Sequence, residues 1–181
     1  MALMVLGAAT TFFGLPMMTL MPVFAKNVFG SGVEGYSKLL AFAGAGAVVG
    51  SMVVAWRGRF PRMGLSTLLV EVVLGVLVTL VAMSRSLHAT YLLLFLTNVA
   101  LMIAISTIMS LVQLIAPDTM RGRVMSIYLV AFRGGMPLGA LVSGYLASIT
   151  SAPAVLIGDG LCLTAVSIYF LAKNKEIRAL E

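Results

Sequence analysis

Hydrophobic positions along this chain fall into six long apolar runs, near residues 1–25, 34–56, 63–84, 89–115, 124–148 and 153–172, separated by short polar stretches. A spanning helix needs about 20 mostly apolar residues. Only helices and closed barrels satisfy the backbone in lipid, and runs this long are helices. The pattern predicts an all-α polytopic membrane protein with six transmembrane helices in one domain, 1–181. The short connections make sequence neighbours antiparallel hairpins. No linker, low-complexity segment or second domain interrupts them.

Composition agrees. The chain is 61% hydrophobic and 10% charged, where a soluble domain of this size carries about 25% charge. Its net charge of +6 does not point to nucleic acid, because the basic residues sit in short loops between apolar runs. Arg57, Arg59 and Arg62 lie in the second loop, Arg121 and Arg123 in the fourth, and Lys173, Lys175 and Arg178 in the tail. Lys26, Lys38 and Arg85 lie on the other side. This eight-to-three excess places both termini in the cytoplasm of a multi-pass cell (plasma or inner) membrane protein. The first run has no basic n-region and is too long for a cleavable signal peptide. Met1 enters an apolar helix at once, with no Lys or Arg before it, so the chain is expected to be a piece of a longer protein.

Interruptions within the runs mark the candidate chemistry. Pro16 and Pro22 bend the first helix, either as a gating flexure or as a packing kink. Gly46 and Gly50, with Ala43 and Ala47, form a small-residue face for close helix packing. Trp56 fits an interfacial anchor. Glu71 lies about 10 Å inside the cytoplasmic end of the third helix, as a proton or cation site or as the structural partner of a buried Arg. On the fourth helix Asn98, Ser106, Ser110 and Gln113 fall within an arc of about 120°, with Thr97 and Thr107 outside it. Such a stripe glues helices together or lines a wet path, and its length favours the wet path. Ser151 and Pro153 form the start signal of the sixth helix. Asp159, between Gly158 and Gly160, lies about 9 Å from its outer end.

The most informative stretch is Pro117 to Gly144. A polar turn carrying Arg121, Gly122 and Arg123 feeds an apolar run broken by Arg133, Gly134, Gly135 and Pro137. Arg133 lies about 14 Å along its helix, where an unpaired guanidinium costs roughly 2.5–3.5 kcal/mol on insertion scales. It is therefore expected to pair with Glu71, the nearer in depth, with Asp159 on the adjacent helix, or with a carboxylate of an N-terminal half.

Several chemistries are excluded. The single histidine, His88, lies in an outer loop, so no His-based metal cluster exists, and neither a metal nor another cofactor is expected. The lone Cys162 forms no internal disulfide. No G-x-x-x-x-G-K-[ST] motif is present. Around Ser143 the sequence reads LVSG, with Leu141 where a rhomboid-like serine protease needs glycine. No enzymatic constellation remains.

The stretch IAPDTMRGRVMSIYLVAFRGGMPLGALVSGYLA resembles the loop and helix in the second half of major facilitator superfamily transporters. It is most similar to the branch that includes enterobactin (siderophore) exporters and macrolide or multidrug exporters. The matching residues are Pro117, then Arg121 to Ser126, then Pro137, Leu138, Gly139 and Gly144. MTLMPVFAKNVFGSGVEGYSKLLAFAGAGAVVGS resembles the family's seventh helix, outer loop and eighth helix, so the likeness covers nearly the whole chain. It implies a twelve-helix fold of which this chain is the C-terminal six-helix half. The first and fourth helices would line a central cavity, the second and fifth would face an N-terminal half, and the third and sixth would sit outside. Val54 stands where the family's basic loop motif has Asp, so that charge relay does not carry over. The antiporter glycine–proline motif belongs to the first half, and RGGMPLGALVSG is only its pseudo-symmetric cousin.

The resemblance implies a secondary exporter of small amphipathic molecules, such as drugs or siderophores, exchanging them for protons by alternating access. Its partners are the lipid bilayer, the substrate and the N-terminal half. Asn98, Ser106, Ser110 and Gln113 are the expected cavity lining. Arg133, Gly135, Pro137 and Gly139 are the expected gating surface, and Arg121 and Arg123 the latch to the other half. Glu71 and Asp159 are the buried charge partners or coupling groups. The competing reading is a six-helix scaffold or assembly factor that transports nothing.

Overall fold

The computed structural model describes residues 2–58 and 62–178, without the side chains of Lys175 and Glu176. Arg59 and the Lys175 side chain, both counted in the charge asymmetry, therefore lie outside the described residues. Six helices are long and apolar enough to span a membrane: α1 (Ala2–Asn27), α2 (Val33–Arg57), α3 (Met63–Met83), α4 (Leu87–Ile115), α5 (Arg121–Ile149) and α6 (Ala152–Lys173). A single further turn, α7 (Lys175–Arg178), follows. The architecture is that of half a major-facilitator fold.

Most boundaries lie within a few residues of the sequence expectation, and two differ for physical reasons. Helix α5 begins at Arg121 rather than at 124, so Arg121 and Arg123 belong to its first turn and not to the loop. Asp118, just before the helix, pairs with Arg121 at 2.7 Å, and an acidic group is favourable at a helix N-terminus. Helix α1 is not uniform. It runs as α-helix over Ala2–Ala9, widens to a π-helix over Thr10–Gly14, and resumes as α-helix over Pro16–Asn27. Pro16 opens the second segment, where a missing N–H removes little. Pro22 lies inside that segment. The Ser151 cap is formed, its hydroxyl oxygen accepting from the Ala154 N–H at 3.3 Å.

Sequence neighbours are joined as hairpins, but the most extensive packing is elsewhere: α3 against α6, α2 against α4, and α1 against α5. Close approach of backbones explains each pairing. A Cβ on Gly46 or Gly50 of α2 would run into the carbonyls of Phe95 or Val99 of α4. On α5, Gly135 faces Ala8 and Thr11, and Gly139 faces the Phe12 carbonyl of α1. The two glycine pairs thus play the same part in two parallel helix pairs. The third contact is self-matched: Gly75 of α3 and Gly160 of α6 oppose each other. Helices α1–α3 and α4–α6 are therefore two copies of one three-helix arrangement, related as an inverted repeat.

The small-residue faces at Gly46–Gly50 and Gly135–Gly139 are thus covered within the chain itself. The least buried helices are α2 and α5. Val48, Met52 and Trp56 on α2, and Ile127, Val130, Leu141 and Tyr145 on α5, form their exposed surfaces.

Candidate functional site

Three polar side chains from three helices meet inside the bundle at matching depth. Thr10 opens the π turn of α1, Glu71 lies on α3 and Tyr128 on α5. Each is about 10–12 Å from its helix's end on the side of the Arg57–Arg62 and Asp118–Arg123 loops, called the basic end below. Thr10 and Glu71 are fully buried and Tyr128 is buried to 1% exposure. Thr10 Oγ1 lies 2.6 Å from Glu71 Oε1 and 2.8 Å from the Leu6 carbonyl. Among the described residues the second carboxyl oxygen, Glu71 Oε2, finds no hydrogen-bond partner, and neither does the Tyr128 hydroxyl. The Tyr128 ring lies on Gly7, one turn before Thr10, where an added Cβ would come within 2.9 Å of Tyr128 Cε2. Buried polar atoms without partners are rare in folded proteins and each calls for an explanation. Among the described residues these two orphans belong to one cluster.

A second buried carboxylate sits toward the opposite end. Asp159 of α6 accepts from the Ser143 hydroxyl of α5 at 3.0 Å. The expected pairing of Arg133 is not found. Arg133 is exposed on the surface of α5 and makes no ion pair among the described residues. Glu71 is engaged by Thr10 instead, and Asp159 by Ser143. Depth along a helix predicted proximity, but the face decided: Arg133 points away from α1, whereas Gly135 and Gly139 point toward it.

The expected gating surface is split accordingly. Arg133 and Pro137 lie outward, and Gly135 and Gly139 are buried against α1. The polar stripe of α4 is also divided. Ser110 and Gln113 are exposed and line a cavity of about 440 Å³ at the basic end, together with Val54, Gly58 and Arg121. Ser106 is half-buried. Asn98 is not on a wet path. It is 3% exposed, and its amide donates to the Leu94 carbonyl of its own helix at 2.9 Å. Thr97 and Thr107 are likewise buried and bond back to α4 carbonyls. Arg123 is exposed on the first turn of α5. Among the described residues no three His, Cys, Asp or Glu side chains gather where they could hold a metal ion.

Sequence reading missed Thr10, Tyr128 and Ser143, and the Gly75–Gly160 contact. Thr10 and Tyr128 carried no signal, since a threonine and a tyrosine in apolar runs read as core. The glycine contact did carry one: G-x-x-x-T occurs at 75–79 and again at 160–164.

No curated protein and no solved structure matches this chain. The sequence profile of the transmembrane secretion effectors matches residues 2–180, nearly the full length. With six membrane-length helices in the half-transporter arrangement behind that match, the chain belongs to the transmembrane secretion effector family, whose members are transporters of the major facilitator type.

Proposed function

We propose that this chain is the C-terminal six-helix body of a secondary exporter that moves small amphipathic molecules, such as drugs or siderophores, outward in exchange for protons. The observation that carries the reading is the family match across residues 2–180. Three structural features support it. The cavity at Ser110, Gln113 and Arg121 mixes hydroxyl, amide and guanidinium groups with apolar walls, which suits ligands that are part polar and part greasy. Helix α1 widens to a π turn beside a buried carboxyl group, and single π turns often mark functional sites. Helices α2 and α5 leave broad apolar surfaces at the bundle's exterior, on which a second six-helix body can rock. An alternating-access cycle needs two such bodies around a shared site.

The test is reconstitution into proteoliposomes with an imposed pH gradient and a fluorescent amphipathic drug. The chain alone should not transport. Joined to an N-terminal half it should, with saturable transport that collapses when the gradient is dissipated. Saturable efflux by the chain alone would overturn the half-transporter reading and point to a dimer of two copies. Transport indifferent to the gradient would remove the proton exchange.

A further inference from the structure

We infer that Glu71 is a proton-exchange site, and that its proton decides whether the Thr10 hydroxyl ties the π turn of α1 to its own helix or to α3. The inference names the residue for the proton exchange proposed above, and rests on that reading only for its consequence in transport.

A threonine hydroxyl has one hydrogen to donate and lone pairs to accept with. Thr10 Oγ1 stands at bonding distance from two oxygens, the Leu6 carbonyl at 2.8 Å and Glu71 Oε1 at 2.6 Å. If Glu71 is ionised, both neighbours are pure acceptors and one hydrogen must serve two. If Glu71 carries a proton, the arrangement closes: the carboxyl O–H donates to Thr10 Oγ1, and the Thr10 O–H donates to the Leu6 carbonyl. The remaining oxygen, Glu71 Oε2, is then a neutral carbonyl oxygen, whose lack of a donor is far less costly than that of a buried carboxylate.

The same residues accommodate the other state. When the carboxyl proton leaves to water, the Thr10 hydrogen turns to Glu71 Oε1 and releases the Leu6 carbonyl. The Tyr128 hydroxyl, buried without a partner among the described residues, can turn to supply a second donor to the carboxylate. The Tyr128 ring lies on Gly7 of α1, one turn before Thr10. Loss of the proton thus moves hydrogen bonds from within α1 to the contacts of α1 and α5 with α3. It does so at the π turn, where the backbone of α1 is already irregular; single π turns often mark functional sites.

Among the described residues no charged side chain pairs with Glu71. Among the described residues, Thr10 is the hydrogen-bond partner of Glu71, and Tyr128 of α5 its titratable neighbour. Helix α1 offers only Lys26 near its far end, and α4 only His88 and Tyr91 near its own far end. On α6, Asp159 is held by Ser143, and Lys173 lies over the Tyr169 ring. Arg178 of α7 is at the basic end.

Infrared difference spectroscopy of the purified protein in lipid nanodiscs, titrated with pH, tests this without any substrate. A protonated-carboxyl stretch should be present, should vanish in Glu71→Gln and should survive in Asp159→Asn. Thr10→Val should shift the band, and Thr10→Ser should restore it. Tyr128→Phe, which removes the second donor, should leave the band in place over a wider pH range. Because glutamine resembles the protonated acid in shape and can donate to Thr10, Glu71→Gln should melt within a few degrees of the unsubstituted chain. Absence of a band assignable to Glu71, or a band unmoved by Thr10→Val, overturns the inference. A Glu71 band in a protein that never moves protons with substrate would leave this inference standing and remove the proton exchange from the proposed function. Gradient-driven transport that persists in Glu71→Gln would do the reverse.

Discussion

Gly75 of α3 and Gly160 of α6 oppose each other so closely that each occupies the space into which the other's side chain would grow. A Cβ on either glycine would meet the carbonyl oxygen of the other. The threonine four residues on from each, Thr79 and Thr164, donates to that same carbonyl at 3.0 and 2.8 Å. Water supplies no hydrophobic drive between helices in lipid, so such backbone approach is a main source of cohesion.

Gly75→Val and Gly160→Val should therefore each destabilise the bundle by about 1–3 kcal/mol, the usual range for overpacking. Gly158 is the control, since nothing lies within 4 Å of a Cβ built there. Gly158→Ala should be neutral or stabilising, because alanine is the better helix former by roughly 0.5–1 kcal/mol. Thermal melting in detergent, followed by size-exclusion fluorescence, reads all three. Equal melting of Gly75→Val and Gly158→Ala would show that α3 and α6 do not meet here.

Arg133 leads to a prediction of opposite sign to the one its sequence position suggests. It lies about 18 Å along α5, near mid-depth, exposed and without an ion-pair partner among the described residues. A charge so placed on a helix facing lipid costs roughly 2.5–3.5 kcal/mol. Arg133→Leu should raise the yield of the chain expressed by itself and lower transport once a second half is present. Fluorescence of a C-terminal fusion measures the first effect. A fall in yield would mean that Arg133 has a stabilising partner inside this chain.

The six spans were legible because an apolar run of membrane length has one stable solution in lipid. The faces of those helices were less so. Gly135 and Arg133 are two residues apart, yet one is buried against α1 and the other is exposed. No rule of depth separates them; only the neighbouring helix does. The stripe on α4 failed in the same way at Asn98, whose amide turned out to serve its own helix. The π turn was hidden because TTFFG has no helix-breaking residue except a glycine at its end. It was readable only as two prolines that promised some irregularity nearby. The carboxylates themselves were plain in the sequence, but Thr10, Tyr128 and Ser143, the residues that give them a setting, look like core until the fold places them.

Sidedness has a direct measurement. Gly32 and Thr119 are both exposed and lie at opposite ends of the bundle, before α2 and before α5. The basic excess assigns Thr119 to the cytoplasmic side and Gly32 to the outside. In a Cys162→Ser background, needed because Cys162 is exposed, Gly32→Cys should react with an impermeant thiol reagent on intact cells. Thr119→Cys should react only after permeabilisation. The reverse pattern would invert the topology and with it the direction of export.

Water access along α4 separates a transporter from a six-helix scaffold. Both share this topology, but only a transporter needs water to reach the polar face of α4. Ser110 and Gln113 are exposed on the cavity at the basic end, whereas Asn98 and Thr97, further along the same helix, are buried. Cysteines at Ser110 and Gln113 should react with a small aqueous thiol reagent at rates near those of an exposed loop position. Cysteines at Asn98 and Thr97 should react slowly or not at all in the resting chain. In the assembled exporter, cycling between its two faces should open the bundle, and an amphipathic substrate should protect the Ser110 and Gln113 positions from the reagent. Protection that grows with substrate concentration and saturates is the outcome expected of a binding cavity. Labelling at Ser110 that no amphipathic compound slows would leave the cavity a water-filled dent at the end of a scaffold, and the exporter reading would fall with it.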